Sequence, residues 1–228
     1  MAWNRVLWGV AASGVVGGLA WASWQGARGG EPGTIDKRAF LERIQKAGAP
    51  GPQHETLSPL VGEFDCTMTL WPGQGMPAVT ASARASGSWI MDGRFVQVMN
   101  RPAPGEELAI ESMQVIGFDR RAAKYFCWSV DSTDTYGLLA KGRMDEGSAT
   151  VEMTGTSDVP GRAPEAFKQV IRIESQDRYV TQVWLLARGA AGADADGWIK
   201  TVEFAYTRRA DDAAGGTGPA TPAARSAE

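Results

Sequence analysis

The stretch "LSPLVGEFDCTMTLWPGQG", residues 57–75, changes its period part-way along. Up to Gly62 it reads as a helical turn and a loop. From there Phe64, Cys66, Met68 and Leu70 alternate with Asp65, Thr67 and Thr69, until Trp71-Pro72-Gly73 breaks the run. Successive side chains of a strand point to opposite faces, so the apolar set shares one face and the polar set the other. A half-buried strand entered from a turn is the reading.

The same rhythm continues down the chain. Strands are predicted over 63–71, 79–91, 94–101, 108–118, 124–131, 137–145, 149–154, 166–174, 179–187 and 198–208. The connections include Met91-Asp92-Gly93, Asp119-Arg120-Arg121, Asp145-Glu146-Gly147, Val159-Pro160-Gly161 and Ser175-Gln176-Asp177, which are apt turn chemistry. Short turns between consecutive strands make an antiparallel meander. An open sheet of about ten strands would leave two unpaired edges, and closure into a barrel removes both. The fold class is therefore all-β, with an interior that side chains fill or that holds one small ligand.

Outside the strands, the first 24 residues begin with Arg5 and continue as an apolar run from Val6 to about Trp24. Two readings stay open: a signal peptide with an Ala20-Trp21-Ala22 cleavage site, or an uncleaved membrane anchor with Trp3 and Trp8 at one interface and Trp21 and Trp24 at the other. No cysteine follows the run, so lipoprotein attachment is excluded. Both readings imply an exported protein, periplasmic or extracytoplasmic, that meets a membrane only through residues 1–24 if they are kept. Residues 25–33 form a linker. Residues 34–61 hold short helices that cap the barrel at 62–209, with Thr34 as a candidate N-cap and a stripe of Ile35, Phe40, Leu41 and Ile44. Residues 210–228 lack apolar bulk and read as a disordered tail.

Charge narrows the partners. Lys and Arg number 23 against 26 Asp and Glu, a formal net charge of -3 over 228 residues, and no basic run argues for nucleic acid. The two cysteines, Cys66 and Cys127, both fall in strands. In an oxidising compartment they could form a disulfide; as free thiols they would be small buried hydrophobes.

The pieces "HETLSPLVGEFDCTMTLWPG", "GSWIMDGRFVQ", "VIGFDRRAAKYFCWSVDS", "AKGRMDE" and "VEFAYTRR" run in order from His54 to Arg209. Together they resemble the entrance and barrel of the lipocalin and fatty-acid-binding superfamily, the calycins. More closely, they resemble a bacterial family of lipocalin-like domains of unknown function, the DUF1579 type. The resemblance implies a lipocalin-like barrel whose closed end is plugged by a Gly-x-aromatic element, here Gly62 and Phe64. An arginine near the last strand, Arg208 or Arg209, would pack across that aromatic. Calycins expect tryptophan at the aromatic position; phenylalanine weakens the cation–aromatic part of the contact.

Reactive chemistry is sparse. The single histidine, His54, precedes the barrel, whereas calycin-like heme carriers hold iron with a histidine inside it. A capping or packing role is the better reading, since one histidine lacks co-ligands. "GADADGWIK" imitates the start of a calcium loop through Asp194, Asp196 and Gly197, but lacks the later ligands. No Gly-x-Ser-x-Gly elbow occurs. No cofactor, metal site or catalytic set is assigned, which leaves a pocket. Candidate ligand-contacting residues are Arg94, Gln97, Glu111, Gln114, Trp128, Asp131, Gln169 and Arg172. Three functions are carried forward: an exported carrier of a small apolar or amphipathic molecule, an envelope interaction module with a filled barrel, and a hydrolase or isomerase using paired carboxylates such as Glu111 and Asp131.

Overall fold

A computed structural model describes residues 36–73, 76–107, 110–158 and 163–210. The signal or anchor segment, the linker, Thr34, Ile35, the Val159-Pro160-Gly161 turn and the tail beyond Ala210 lie outside the described residues. No helix among the described residues is long and apolar enough to cross a membrane.

The chain divides after Gly48 into two compact units. In the first, helix α1 spans Lys37–Ala47. Its N-cap is Asp36, whose carboxylate accepts from the amides of Arg38 and Ala39 at 2.9 and 3.2 Å. Gly48 ends it, donating to the Ile44 carbonyl. No residue of α1 is buried, and Phe40 and Leu41 of the expected stripe are exposed.

The second unit is the barrel. Its ten described strands are β1 (Gly62–Leu70), β2 (Val79–Ile90), β3 (Phe95–Pro102), β4 (Ser112–Asp119), β5 (Lys124–Asp131), β6 (Leu138–Asp145), β7 (Thr150–Ser157), β8 (Glu165–Ile173), β9 (Arg178–Leu186) and β10 (Trp198–Arg208). Each pairs antiparallel with its sequence neighbour, and β1 pairs with β10 to close the ring. The tight β2–β3 turn is made by Met91, Asp92 and Gly93, all at positive φ (52°, 56° and 78°). That conformation suits a short hairpin because its twist matches the strands.

Alternation sends Phe64, Cys66 and Met68 inward from β1, opposite Arg208, Tyr206 and Phe204 of β10 on one side and Ala85, Ala83 and Ala81 of β2 on the other. The core is the barrel interior, continued by Leu57 and Leu60 beneath it. These two come from the segment that crosses the end of the barrel where β1 begins: helix α2 (Pro52–Glu55) and a 3₁₀ turn (Ser58–Leu60). Gly87 makes the crossing fit, since a Cβ there would stand 1.8 Å from the Leu60 carbonyl oxygen. At the other end β10 carries a bulge between Lys200 and Val202.

Candidate functional site

The barrel interior is mostly apolar, but a set of polar side chains interrupts it. Asn100 on β3, Ser112 and Gln114 on β4, Gln169 on β8 and Thr181 on β9 are all buried, together with the phenols of Tyr179 and Tyr206. The Asn100 amide donates to the Ser112 hydroxyl at 3.0 Å. Its carbonyl oxygen, the Thr181 hydroxyl and the two phenolic hydroxyls are buried without a hydrogen-bond partner. Thr181 and Asn100 approach Tyr206 closely enough to act on its ionisation, yet no bond of normal geometry forms. A buried polar atom left unpaired costs roughly 1–3 kcal/mol, so orphans gathered in one interior call for a partner.

These groups stay uncharged. Burial raises the pKa of Tyr206 and of Tyr179 well above the usual phenol range. Burial also pushes the thiols of Cys66 and Cys127 up to about 12. No Asp, Glu, Lys or Arg is buried among the described residues. The interior is a neutral compartment containing hydrogen-bonding groups.

Its floor is aromatic. Tyr179 and Tyr206 stack at 4.1 Å between ring centres, and Phe64 meets each of them edge-on. The Arg208 guanidinium lies over the Phe64 ring and bonds to the carbonyls of Val61, Pro59 and Gln176. Arg209 instead donates through its backbone amide to Glu63. Toward the opposite end, the partly buried Leu70, Ile110, Leu138, Leu185 and Val202 pack on the core and leave that end apolar.

A family model described as "Protein of unknown function (DUF1579)" matches residues 49–208, which is the barrel with its capping segment. The chain belongs to this family. No curated protein gives a significant sequence match. Among solved structures, the crystal structure of Rv2717c from M. tuberculosis is similar, with a TM-score of 0.50 at 11% identity over 71% of this chain and 99% of that one. At that identity the likeness concerns the fold alone.

Within this DUF1579 barrel the residues singled out from the sequence separate into two groups. Gln114 and Gln169 face the interior, and Gln169 lies beside the Cys127 thiol. The other six are on the outer wall or the rims. Arg94 donates to the Met91 carbonyl in the β2–β3 turn. Gln97 contacts the Met113 sulfur. Glu111 pairs with Arg101 in the open, and Arg172 pairs with Glu174. Trp128 is exposed, and Asp131 organises its own turn by accepting from the Thr133 amide. Gln97, Glu111, Trp128 and Arg172 are outside because strand neighbours of opposite parity, such as Val96, Val98, Ser112, Cys127 and Ile171, take the interior. Arg94 and Asp131 share the inward parity but stand just before β3 and at the end of β5, beyond the core. Glu111 and Asp131 therefore do not form an enclosed carboxylate pair.

Of the two readings left open for Cys66 and Cys127, the structure has the second: both are free and buried. β1 and β5 are separated in the sheet by β2, β3 and β4, and each cysteine turns into the barrel interior. His54 is buried, and its Nδ1 accepts from the Gly51 amide at 3.0 Å, which caps α2. Asp194 accepts from the amides of Asp196 and Trp198 and so shapes the β9–β10 loop. No group of three or more potential metal ligands occurs among the described residues. Several tryptophans serve the outer wall, where Lys200 lies 4.2 Å from the Trp71 ring and Lys168 lies 5.0 Å from Trp198.

Sequence reading missed Asn100, Ser112, Tyr179, Thr181 and Tyr206. Their parity was available. Tyr206 lies two residues before Arg208 and shares its face, while Asn100 shares parity with Val96 and Val98.

Proposed function

We propose that this protein is an exported, lipocalin-like barrel that binds a small apolar or amphipathic molecule in its interior and does no chemistry on it. The unpaired polar atoms of Asn100, Thr181, Tyr179 and Tyr206 inside an otherwise apolar barrel carry this reading. Ligand sites are mostly apolar with a few convergent polar groups, and this interior has that composition. The wall also draws back on β2, whose inward residues Ala81, Ala83 and Ala85 reach only a methyl into the interior. Binding would desolvate the apolar body of the ligand, while the polar groups fix its orientation. Export rests on residues 1–24, whose charged start and apolar run suit a signal or an anchor.

Native mass spectrometry of the full chain, purified gently from the cells that make it, tests the reading. The expected result is a reproducible excess mass lost on denaturation, with the protein in the extracytoplasmic fraction. A clean apo mass under several growth conditions, or a cytoplasmic location, would overturn the corresponding half.

One observation favours a second reading, an envelope interaction module. Trp128 and Leu139 are register partners on β5 and β6, both exposed, with exposed Tyr136 in the loop between those strands. Exposed aromatic and aliphatic side chains grouped on one part of a wall suit a protein partner. Co-purification lost on Trp128→Ser and retained with an empty barrel would select this reading.

A further inference from the structure

The orphaned interior groups say more than that something binds, because their chemistry limits what it can be. Asn100 offers a carbonyl oxygen, and Thr181, Tyr179 and Tyr206 offer hydroxyls, all on side chains about 1% exposed. They come from β3, β9 and β10 and converge over the Phe64 floor. None is ionised at neutral pH, and no charged side chain is buried among the described residues. The closest cation is Arg208, and its guanidinium is committed to three carbonyls, the Asp177 carboxylate and the Phe64 face. A carboxylate brought into this space would lose its hydration without meeting a counter-charge, and an ammonium would fare no better. A neutral group that both donates and accepts would satisfy the hydroxyls and the Asn100 carbonyl together.

We propose that the interior seats an uncharged polar head, an alcohol or a primary amide, at Asn100, Thr181, Tyr179 and Tyr206. The apolar body of the ligand extends past Ala81 and Phe204 toward Leu70 and Val202. This deepens the carrier reading and rests on it. A long-chain carboxylate is the ligand this interior rejects.

The test is a matched set of probes added to the full-length protein at neutral pH: decanol, decanamide, decanoate and decylammonium, with affinities read by calorimetry. Decanol and decanamide are expected to bind at least about ten-fold tighter than the two ions. Decanoate should gain affinity as the pH is lowered toward its own pKa, because the protonated acid is neutral. The double variant Thr181→Val, Tyr206→Phe keeps side-chain shape and should lose about ten-fold for decanol. Unchanged near-ultraviolet circular dichroism would show that it folds. Equal affinity for all heads, or tighter binding of either ion, overturns the neutral-head assignment and leaves the carrier reading standing. Binding of none of the probes by the unaltered protein overturns the carrier reading, and this inference with it.

Discussion

The guanidinium carbon of Arg208 lies 4.8 Å from the centre of the Phe64 ring, so the last strand of the barrel is fastened across the first residues of β1. The same side chain donates to the Val61 carbonyl at 2.8 Å, to Gln176 at 2.9 Å and to Pro59 at 3.3 Å. One residue thereby joins β10 to the segment beneath the barrel and to the β8–β9 turn. A planar fork with five donors can do this; an ammonium cannot.

Arg208→Ala is expected to destabilise the fold by about 3 kcal/mol, since three carbonyls lose a charged donor and Phe64 loses its cation. Arg208→Lys should cost roughly half as much, because it restores charge without the fork. The Asp177 contact adds little, as that carboxylate is mostly exposed. Urea unfolding followed by tryptophan fluorescence measures both. An Arg208→Lys protein as stable as the wild type would show that charge, and not geometry, fastens the strand.

Gly87→Ala should destabilise by about 2–3 kcal/mol although only one methyl is added. The methyl would meet a backbone carbonyl, which cannot rotate away as a side chain could. Unfolding midpoints of this variant and of Gly147→Ala, at a turn position where a Cβ meets only the Asp145 carboxylate at 3.5 Å, check the claim. A Gly87→Ala protein as stable as the parent would place the Leu60 segment elsewhere.

The thiols of Cys66 and Cys127 should be inert in the native protein. With a thiol pKa of about 12, the thiolate fraction near pH 8 is on the order of 10⁻⁴. Burial also blocks access. A disulfide-exchange chromogen should detect no thiol in the native state and two after denaturation, matching the two cysteines. The sign follows for stability: groups whose folded pKa is raised stabilise fully below their ordinary value of 9.0, and that contribution is lost as the pH rises toward the folded value. Rapid native labelling, or no thiol after denaturation, would contradict the assignment.

His54 gives a pH dependence of the opposite sense. Burial of the ring lowers its pKa below the ordinary 6.5, helped by the charges of Arg120 and Arg94. The unfolded chain then takes up the proton more readily, so stability is intact above 6.5 and falls as the pH drops through the interval below it. Asparagine at this position can accept from the Gly51 amide without titrating. As the pH falls from about 7 to about 5, the wild type should lose stability relative to His54→Asn. Parallel denaturation curves for the two proteins across that range would remove His54 from the account.

The strands were legible because each buries one face, and burial of one face imposes an alternation that survives in sequence. β5 and β10 were placed at their observed ends, and most of the others within a residue or two. β4 was the largest miss, since the predicted strand began at 108 and the observed one begins at Ser112. The capping residue of α1 was displaced because Thr34 and Asp36 offer equivalent side chains, and local pattern does not choose between them. Six of the eight candidate ligand-contacting residues lie on the outer wall or the rims. Polar residues were selected for being polar within a strand, whereas what matters is the face each takes. In the strands apolar on both faces, such as β5, only the closed ring decides which set turns inward.

The sequence by itself determined that this is an all-β chain with its barrel closed by an aromatic and an arginine. It could do so because period and turn chemistry are local properties of consecutive residues. Only the tertiary structure decided that Cys66 and Cys127 are free and buried, that Arg208 and not Arg209 crosses Phe64, and that Asn100, Thr181, Tyr179 and Tyr206 share one uncharged interior. Those relations join residues up to about 140 positions apart in sequence, and what brings them together is the register of ten strands around a closed ring.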